Sequence, residues 1–153
     1  MQTPPHYYAA VAAAGAGGDV ALTTDGPSPL LSSSPPQFDG PGDVWSPETL
    51  LVAAVGDCLI LTFRAVARAS KLPWTALRCE VAGTLDRVGH ATQFTDFEVH
   101  AHLEVPAGTD PQLARRALEK AEHGCLISNS LKAGVHLIPE IEVAPGLAEL
   151  VGA

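Results

Sequence analysis

The chain has 153 residues, 46% hydrophobic and 17% charged, the length and balance of one domain (1–153) with its own core rather than of a disordered chain. Its apolar runs are scattered, which argues against a membrane-spanning class. The formal net charge is −8 and all nine Lys and Arg residues fall between Arg64 and Lys132; a phosphate-tracking groove needs clustered positive charge, so nucleic acid is excluded as a partner. The opening MQTPPHYYAAVAAAG has no basic n-region and is broken by Pro and Gly before an apolar h-region can form, so a cytoplasmic address is expected. Three cysteines are an odd count, too sparse for a secreted disulfide framework, and a thiol that matters in a reducing compartment is expected to be reactive.

Residues 7–13 and 19–24 read as two short strands around the turn GAGG, and the Pro-, Gly- and Ser-rich stretch 25–46 as an extended connector. Ser46-Pro47-Glu48-Thr49 is a helix start: Ser at the N-cap, Pro at the first helical position, an acid where the dipole favours it. The following LLVAAVGDCLILTF is apolar almost all round, which predicts a central, buried helix ending near Lys71, ahead of Pro73. Next, Leu77, Cys79, Val81 and Leu85 alternate with Arg78, Glu80, Thr84 and Asp86. Phe97, Val99, Ala101, Leu103 and Val105 alternate with Glu98, His100, His102 and Glu104. Two strands joined around Gly89, with one wet face, are predicted. Asp110-Pro111 opens a second helix with the stripe Leu113, Ala114, Ala117, Leu118, Ala121, closing at Gly124. LISNSLKA reads as a short helix, and VHLIPEIEV as a last strand whose Pro139 puts it at an edge. Strands and helices come in runs, which favours α+β.

The three thiols differ in setting. Cys79 shares the inward phase of its strand with Leu77 and Val81, the place of a core residue. Cys58 lies in a helix interior beside Asp57, and both features disfavour a thiolate. Cys125 sits in a Gly-Cys break before a short helix, where free N–H groups favour one, so spacing alone makes Cys125 the more acidic thiol. His100 and His102 with Glu98 and Glu104, and His123 with Cys125, are pairings a metal could use. None has the spacing that makes a zinc assignment specific, and a solvated sheet face is the plainer reading. No Gly-rich phosphate motif and no Ser-His-Asp arrangement is present.

The segment SPETLLVAAVGDCLILTF, followed by AEHGCLISNSLK, resembles the OsmC/Ohr family of thiol-dependent peroxidases, from about Tyr7 to Val143. That family carries one Cys inside a long central helix after a Pro-Glu start and a second in a Cys-x-x-Ser segment near the C-terminus. The resemblance implies antiparallel sheets packed around a long buried helix and an intertwined homodimer. It implies that Cys58 is the peroxidatic thiol, that Cys125 resolves its sulfenic acid into a disulfide, and that Glu48 holds a cation in place. It further implies organic, lipid-like hydroperoxides as substrates and, with no tightly bound cofactor, an external dithiol or lipoyl-protein as reductant. The family's cation is an Arg from the N-terminal strands. No arginine precedes Arg64 here, and Arg64 and Arg68 lie about 9 and 15 Å beyond Cys58 along a continuous helix. Glu48 is about 15 Å away on the other side.

Three readings follow. The first is a homodimeric, cytoplasmic cysteine peroxidase using Cys58, Cys125 and Glu48. The second, motivated by the missing Arg and by Asp57, is an OsmC-like redox-sensing or small-molecule-binding protein without efficient peroxidase activity. The third is a metal-binding protein using His123, Cys125 and the strand histidines.

Overall fold

The structure, a computed structural model, describes residues 3–146, so the single-domain reading of 1–153 extends past the described residues at both ends. The chain forms two compact units, Met1–Leu51 and Val52–Ala153. In the first, β1 (Val11–Ala13), β2 (Val20–Thr23) and β3 (Leu30–Ser32) form an antiparallel sheet in that order. The expected hairpin is present, with Val11 opposite Thr23 and Ala13 opposite Ala21, but its first strand is shorter than residues 7–13. The connector holds more structure than its composition suggests. It contains β3 and a 3-10 turn at Pro36–Phe38, and Ser33 N–H donates to the Trp45 carbonyl at 2.8 Å.

Helix α1 (Pro47–Ser70) starts where the sequence places it. The Ser46 hydroxyl accepts from Thr49 N–H at 3.2 Å while Thr49 Oγ1 accepts from Ser46 N–H at 2.9 Å. This is a capping box with Thr in the place of Glu, and it satisfies two backbone donors reciprocally. The helix continues into the second unit and stops as expected. Leu72 N–H bonds the Ala67 carbonyl at 2.9 Å and Lys71 N–H the Arg68 carbonyl at 3.3 Å, with Lys71 at φ 53°. That is a Schellman ending, in which the left-handed position ordinarily belongs to Gly. A lysine there costs about 1 kcal/mol.

In the second unit, β4 (Ala76–Val88) and β5 (Ala91–Val105) form the predicted hairpin, and β6 (Gly134–Val143) lies on the other side of β5. The pairing of β5 with β6 is parallel, which corrects the expectation of purely antiparallel sheets. Helix α2 (Pro111–His123) carries the chain back to the starting end of β5, and a helical crossover of that kind makes neighbouring strands parallel. Pro139 lies on an edge strand as predicted, since β6 pairs with β5 alone. The period-2 pattern sorts the faces as read except at Leu85, which is exposed because the register shifts between Thr84 and Leu85. Phe97, Val99, Ala101, Leu103 and Val105 are buried, with Leu77, Cys79 and Val81 on their β4 side and Val135, Leu137 and Ile141 on their β6 side. The opposite face is charged. Arg78 pairs with Glu80, His100 with Glu98 at 2.6 Å, His102 with Glu140 at 2.8 Å, and His136 with Asp96 at 2.9 Å.

α2 is capped by Asp110, whose carboxylate accepts from Gln112 N–H at 2.8 Å, and it buries Ala114, Ala117, Leu118 and Ala121. The expected short helix after Cys125 is only a 3-10 turn, Ser128–Ser130.

α1 is long and apolar enough to cross a membrane by length and composition, but it commits one stripe to this fold. Val55, Gly56, Leu59, Phe63 and Ala67 are buried, and the Phe63 ring meets Trp74 edge-on at 5.3 Å. The expectation of burial all round is corrected here: Leu61 is 52% exposed and Ala53, Asp57 and Ala65 are exposed. A 3.6-residue period turns a second apolar face away from the sheet, and nothing in one described chain covers it.

Gly56 sets how closely α1 approaches β4. A Cβ there would lie 3.0 Å from Val81 Cγ2 and 3.8 Å from Cys79 Cβ. Gly56→Ala is expected to lower stability by about 1–3 kcal/mol in urea denaturation, because overpacking outweighs the helix propensity gained. Adding Val81→Ala should recover part of the loss. A gain of about 1 kcal/mol from Gly56→Ala alone, the value propensity dictates, would mean that the helix stands off the sheet.

Candidate functional site

The site forms where α1 passes the break between α2 and β6. Cys58 sits mid-helix, half-buried, and Cys125 follows the end of α2, fully buried. Gly124, the C-cap of α2, lies against Thr62 of α1, where a Cβ would be in ordinary contact at 3.4 Å. After Cys125 the chain makes one helical turn, with Asn129 N–H bonded to the Cys125 carbonyl at 3.0 Å. The first N–H groups of such a turn have no partner within it. Those of Leu126 and Ile127 are spent on the Cys58 sulfur and that of Ser128 on Cys125. The Asn129 amide steadies the turn by donating to the His123 carbonyl at 3.1 Å.

The two thiols are within hydrogen-bonding reach of each other, and their surroundings push them apart in acidity. Burial raises Cys58. That rise is outweighed by the Ile127 N–H, the Cys125 thiol, the Thr62 hydroxyl 3.9 Å away and the Leu126 N–H, so the thiol falls below its ordinary value. Burial also raises Cys125. The Ser128 hydroxyl, which donates to its sulfur at 3.2 Å, and the Ser128 N–H oppose that rise, while the proximity of Cys58 adds to it, and Cys125 ends above its ordinary value. The result is a directed chain from Ser128 O–H to the Cys125 sulfur and from Cys125 S–H to the Cys58 thiolate. Each donor favours the charged form of the next sulfur.

This reverses the order of acidity read from the sequence. The N–H groups of the Gly-Cys break were expected to serve Cys125, but the turn aims two of them across at Cys58. Asp57, expected to oppose the Cys58 thiolate, is exposed. The groups that acidify Cys58 are uncharged donors, and Arg64 and Arg68 are exposed. Cys79 behaves as read: burial pushes it up to about 11. Thr62 and Ser128 were not singled out as functional. Their signal lay in the spacing, Thr62 one helical turn beyond Cys58 and Ser128 three residues beyond Cys125.

Glu48 belongs to the first unit. It lines a cavity of about 300 Å³ with Gly18, Ser32, Ser33, Ser34 and Phe38. Its Oε2 is buried without a hydrogen-bond partner among the described residues. The metal reading finds no assembled ligand set: among the described residues, no three His, Cys, Asp or Glu side chains are grouped to hold an ion. The strand histidines are paired with carboxylates as above, and His123 Nδ1 is bonded to the Glu119 carbonyl at 2.7 Å.

Two neighbouring thiols of opposed acidity are carried on an α+β fold of two sheets and helices. The family model for OsmC-like proteins matches residues 40–140, and the chain belongs to that family. YmaD of Bacillus subtilis (strain 168), itself uncharacterised, is 28% identical over 145 residues, spanning 92% of this chain and 96% of that protein. An OsmC-like protein of unknown function from Vibrio cholerae superposes with a TM-score of 0.81 at 19% identity, covering 89% of this chain and all of the other. A Legionella pneumophila protein named as an organic hydroperoxide resistance protein superposes at 0.72 with 25% identity, covering 92% of this chain and all of that one. Membership of a family that includes hydroperoxide-resistance proteins supports a redox or peroxide-stress role.

The opposed shifts predict selective labelling. With Cys58 lowered and Cys79 and Cys125 raised, iodoacetamide near neutral pH should modify Cys58 first, since the thiolate is the nucleophile. Selectivity should fade as the pH rises toward about 11, where Cys79 ionises. Thr62→Val, which removes one donor, should slow the labelling of Cys58 several-fold. Peptide mapping that finds Cys125 or Cys79 modified first would contradict the assignment.

Proposed function

We propose that the protein is a cysteine-based peroxidase of the oxidative-stress response that reduces organic hydroperoxides. The observation that carries this reading is the lowered Cys58 thiol held against the raised Cys125 thiol. The Cys58 thiolate attacks the distal oxygen of ROOH. The O–O bond breaks, the sulfur keeps the hydroxyl as a sulfenic acid, and the alkoxide takes a proton from water to leave as ROH. Cys125, one of the donors to the reacting sulfur, then attacks the sulfenic sulfur. A disulfide forms and the hydroxyl leaves as water with the Cys125 proton. An external dithiol, of lipoyl type or borne by a lipoyl-protein, reduces the disulfide by exchange, so no tightly bound cofactor is needed. The protein works in the cytoplasm as a homodimer, in which a second copy covers the apolar face of α1 around Leu61 that one chain leaves open. Glu48 serves as the seat of a cation or orients the incoming peroxide.

One observation favours a second reading, a redox-sensing or small-molecule-binding protein that oxidises slowly. That observation is that Cys58 is acidified by neutral donors and no cation, and the buried Glu48 Oε2, without a hydrogen-bond partner among the described residues, agrees with it.

Stopped-flow consumption of cumene hydroperoxide with a dithiol reductant distinguishes the two. The peroxidase reading predicts multiple turnovers that Cys58→Ser abolishes. Cys125→Ser should give a single turnover and leave a sulfenic acid that dimedone traps. Turnover unchanged in Cys58→Ser ends the peroxidase reading, whereas a wild-type protein that forms the disulfide once but does not cycle favours the sensor.

A further inference from the structure

A groove of about 640 Å³ in the second unit lies between the end of α1, the loop before α2 and the exposed face of α2. A cleft of that size suits a small organic ligand. Neither Cys58 nor Cys125 lines it. Its walls are apolar, with Val66, Leu72, Pro106 and Leu113 among them. Leu113 is 51% exposed, which leaves a large side chain in water along the groove. α2 turns Leu113, Arg116, Ala117 and Lys120 to the groove because they follow the 3.6-residue period.

Three cations line these walls, Lys71, Arg116 and Lys120, a third of all Lys and Arg in a chain of net charge −8. All three are exposed, and none is ion-paired among the described residues. The one carboxylate in the lining, Asp110, is already engaged in capping α2. Lys120 and Lys71 sit at the ends of α2 and α1, where the helix dipole favours a cation; Arg116, mid-helix, has no such reason. Lys71 occupies the left-handed position at the end of α1 that Gly fills without strain. Backbone strain retained at the edge of a groove points to a use for the residue that bears it.

We propose that this groove is a binding site for a free long-chain carboxylate, with the alkyl chain on the Val66, Leu72, Pro106 and Leu113 walls and the carboxylate among Lys71, Arg116 and Lys120. An apolar trough fits the chain, and a positive cluster on an acidic protein fits an anionic head. Neither feature alone selects this ligand. The site makes no use of the thiols, so it stands or falls independently of peroxidase activity.

Calorimetric titration of the full-length protein with decanoate, decanol and acetate tests it. Decanoate should bind once per chain, at least tenfold more tightly than decanol or acetate, and more weakly as salt is raised. Arg116→Gln combined with Lys120→Gln should weaken decanoate at least tenfold and leave decanol unchanged. Lys71→Gly separates a ligand contact from a fold contact, because it should raise the thermal midpoint by about 2–4 °C through relief of strain while weakening decanoate several-fold. Equal binding of decanoate and decanol, or unchanged affinity in the Gln variants, would overturn the proposal. So would failure of decanoate to bind while the protein floats with phosphatidylglycerol vesicles, which would assign this face to a membrane surface.

Discussion

A half-buried sulfur in the middle of an apolar helix ionises only if something offsets its loss of water, and at Cys58 the offset is a set of uncharged donors. Two come from the backbone of the turn after Cys125, one from Thr62 on the same helix, and one from the Cys125 thiol. No single donor decides the balance. Preorganisation does, since the turn is held by the Asn129 bonds and α1 is held against β4 by the absence of a side chain at Gly56. The rest of the second unit can be understood as the frame that keeps the helix and the turn in contact.

The coupling between the two sulfurs follows from the same geometry. A proton on Cys125 stabilises negative charge on Cys58, and negative charge on Cys58 makes the Cys125 proton harder to lose. A pair arranged in this way shares its ionisation, and its first proton leaves from the helical sulfur. In the proposed peroxidase cycle that order would suit Cys58 as nucleophile and Cys125 as a resolving thiol kept protonated until the first sulfur is oxidised. It also distinguishes this centre from one activated by a fixed positive charge, because a neutral donor set adds no long-range field around the site.

Much of the second unit was legible from the residues. Period-2 alternation in Leu77 to Val81 and Phe97 to Val105 marks which strand faces are apolar, because a strand cannot shift by one residue without exchanging its faces; the irregularity at Thr84 and Leu85 breaks that pattern and leaves Leu85 exposed. Ser46-Pro47 and Asp110-Pro111 located both helix starts, since capping chemistry is local. What was not legible is what depends on tertiary placement. The β3 strand hides in a Pro-rich stretch because two leucines are too short a signal. The parallel direction of β6 is a property of the crossover through α2 and not of the strand's own pattern. The acidity of Cys58 is read wrongly from its neighbours because its donors lie 68 and 69 positions downstream at Leu126 and Ile127. Resemblance to a known family singles out Cys58 where local chemistry singles out Cys125, and the lowered thiol is Cys58.

The central claim is that the helical thiol is the acid of the pair. Following the Cβ resonance of each cysteine by carbon-13 NMR across a pH titration of the reduced wild-type protein measures it directly. The account predicts that Cys58 titrates first, below the ordinary thiol range, with Cys125 and Cys79 following at higher pH. Ionisation of Cys125 ahead of Cys58, or a Cys58 resonance that does not move until the half-buried Cys79 also titrates, would contradict it.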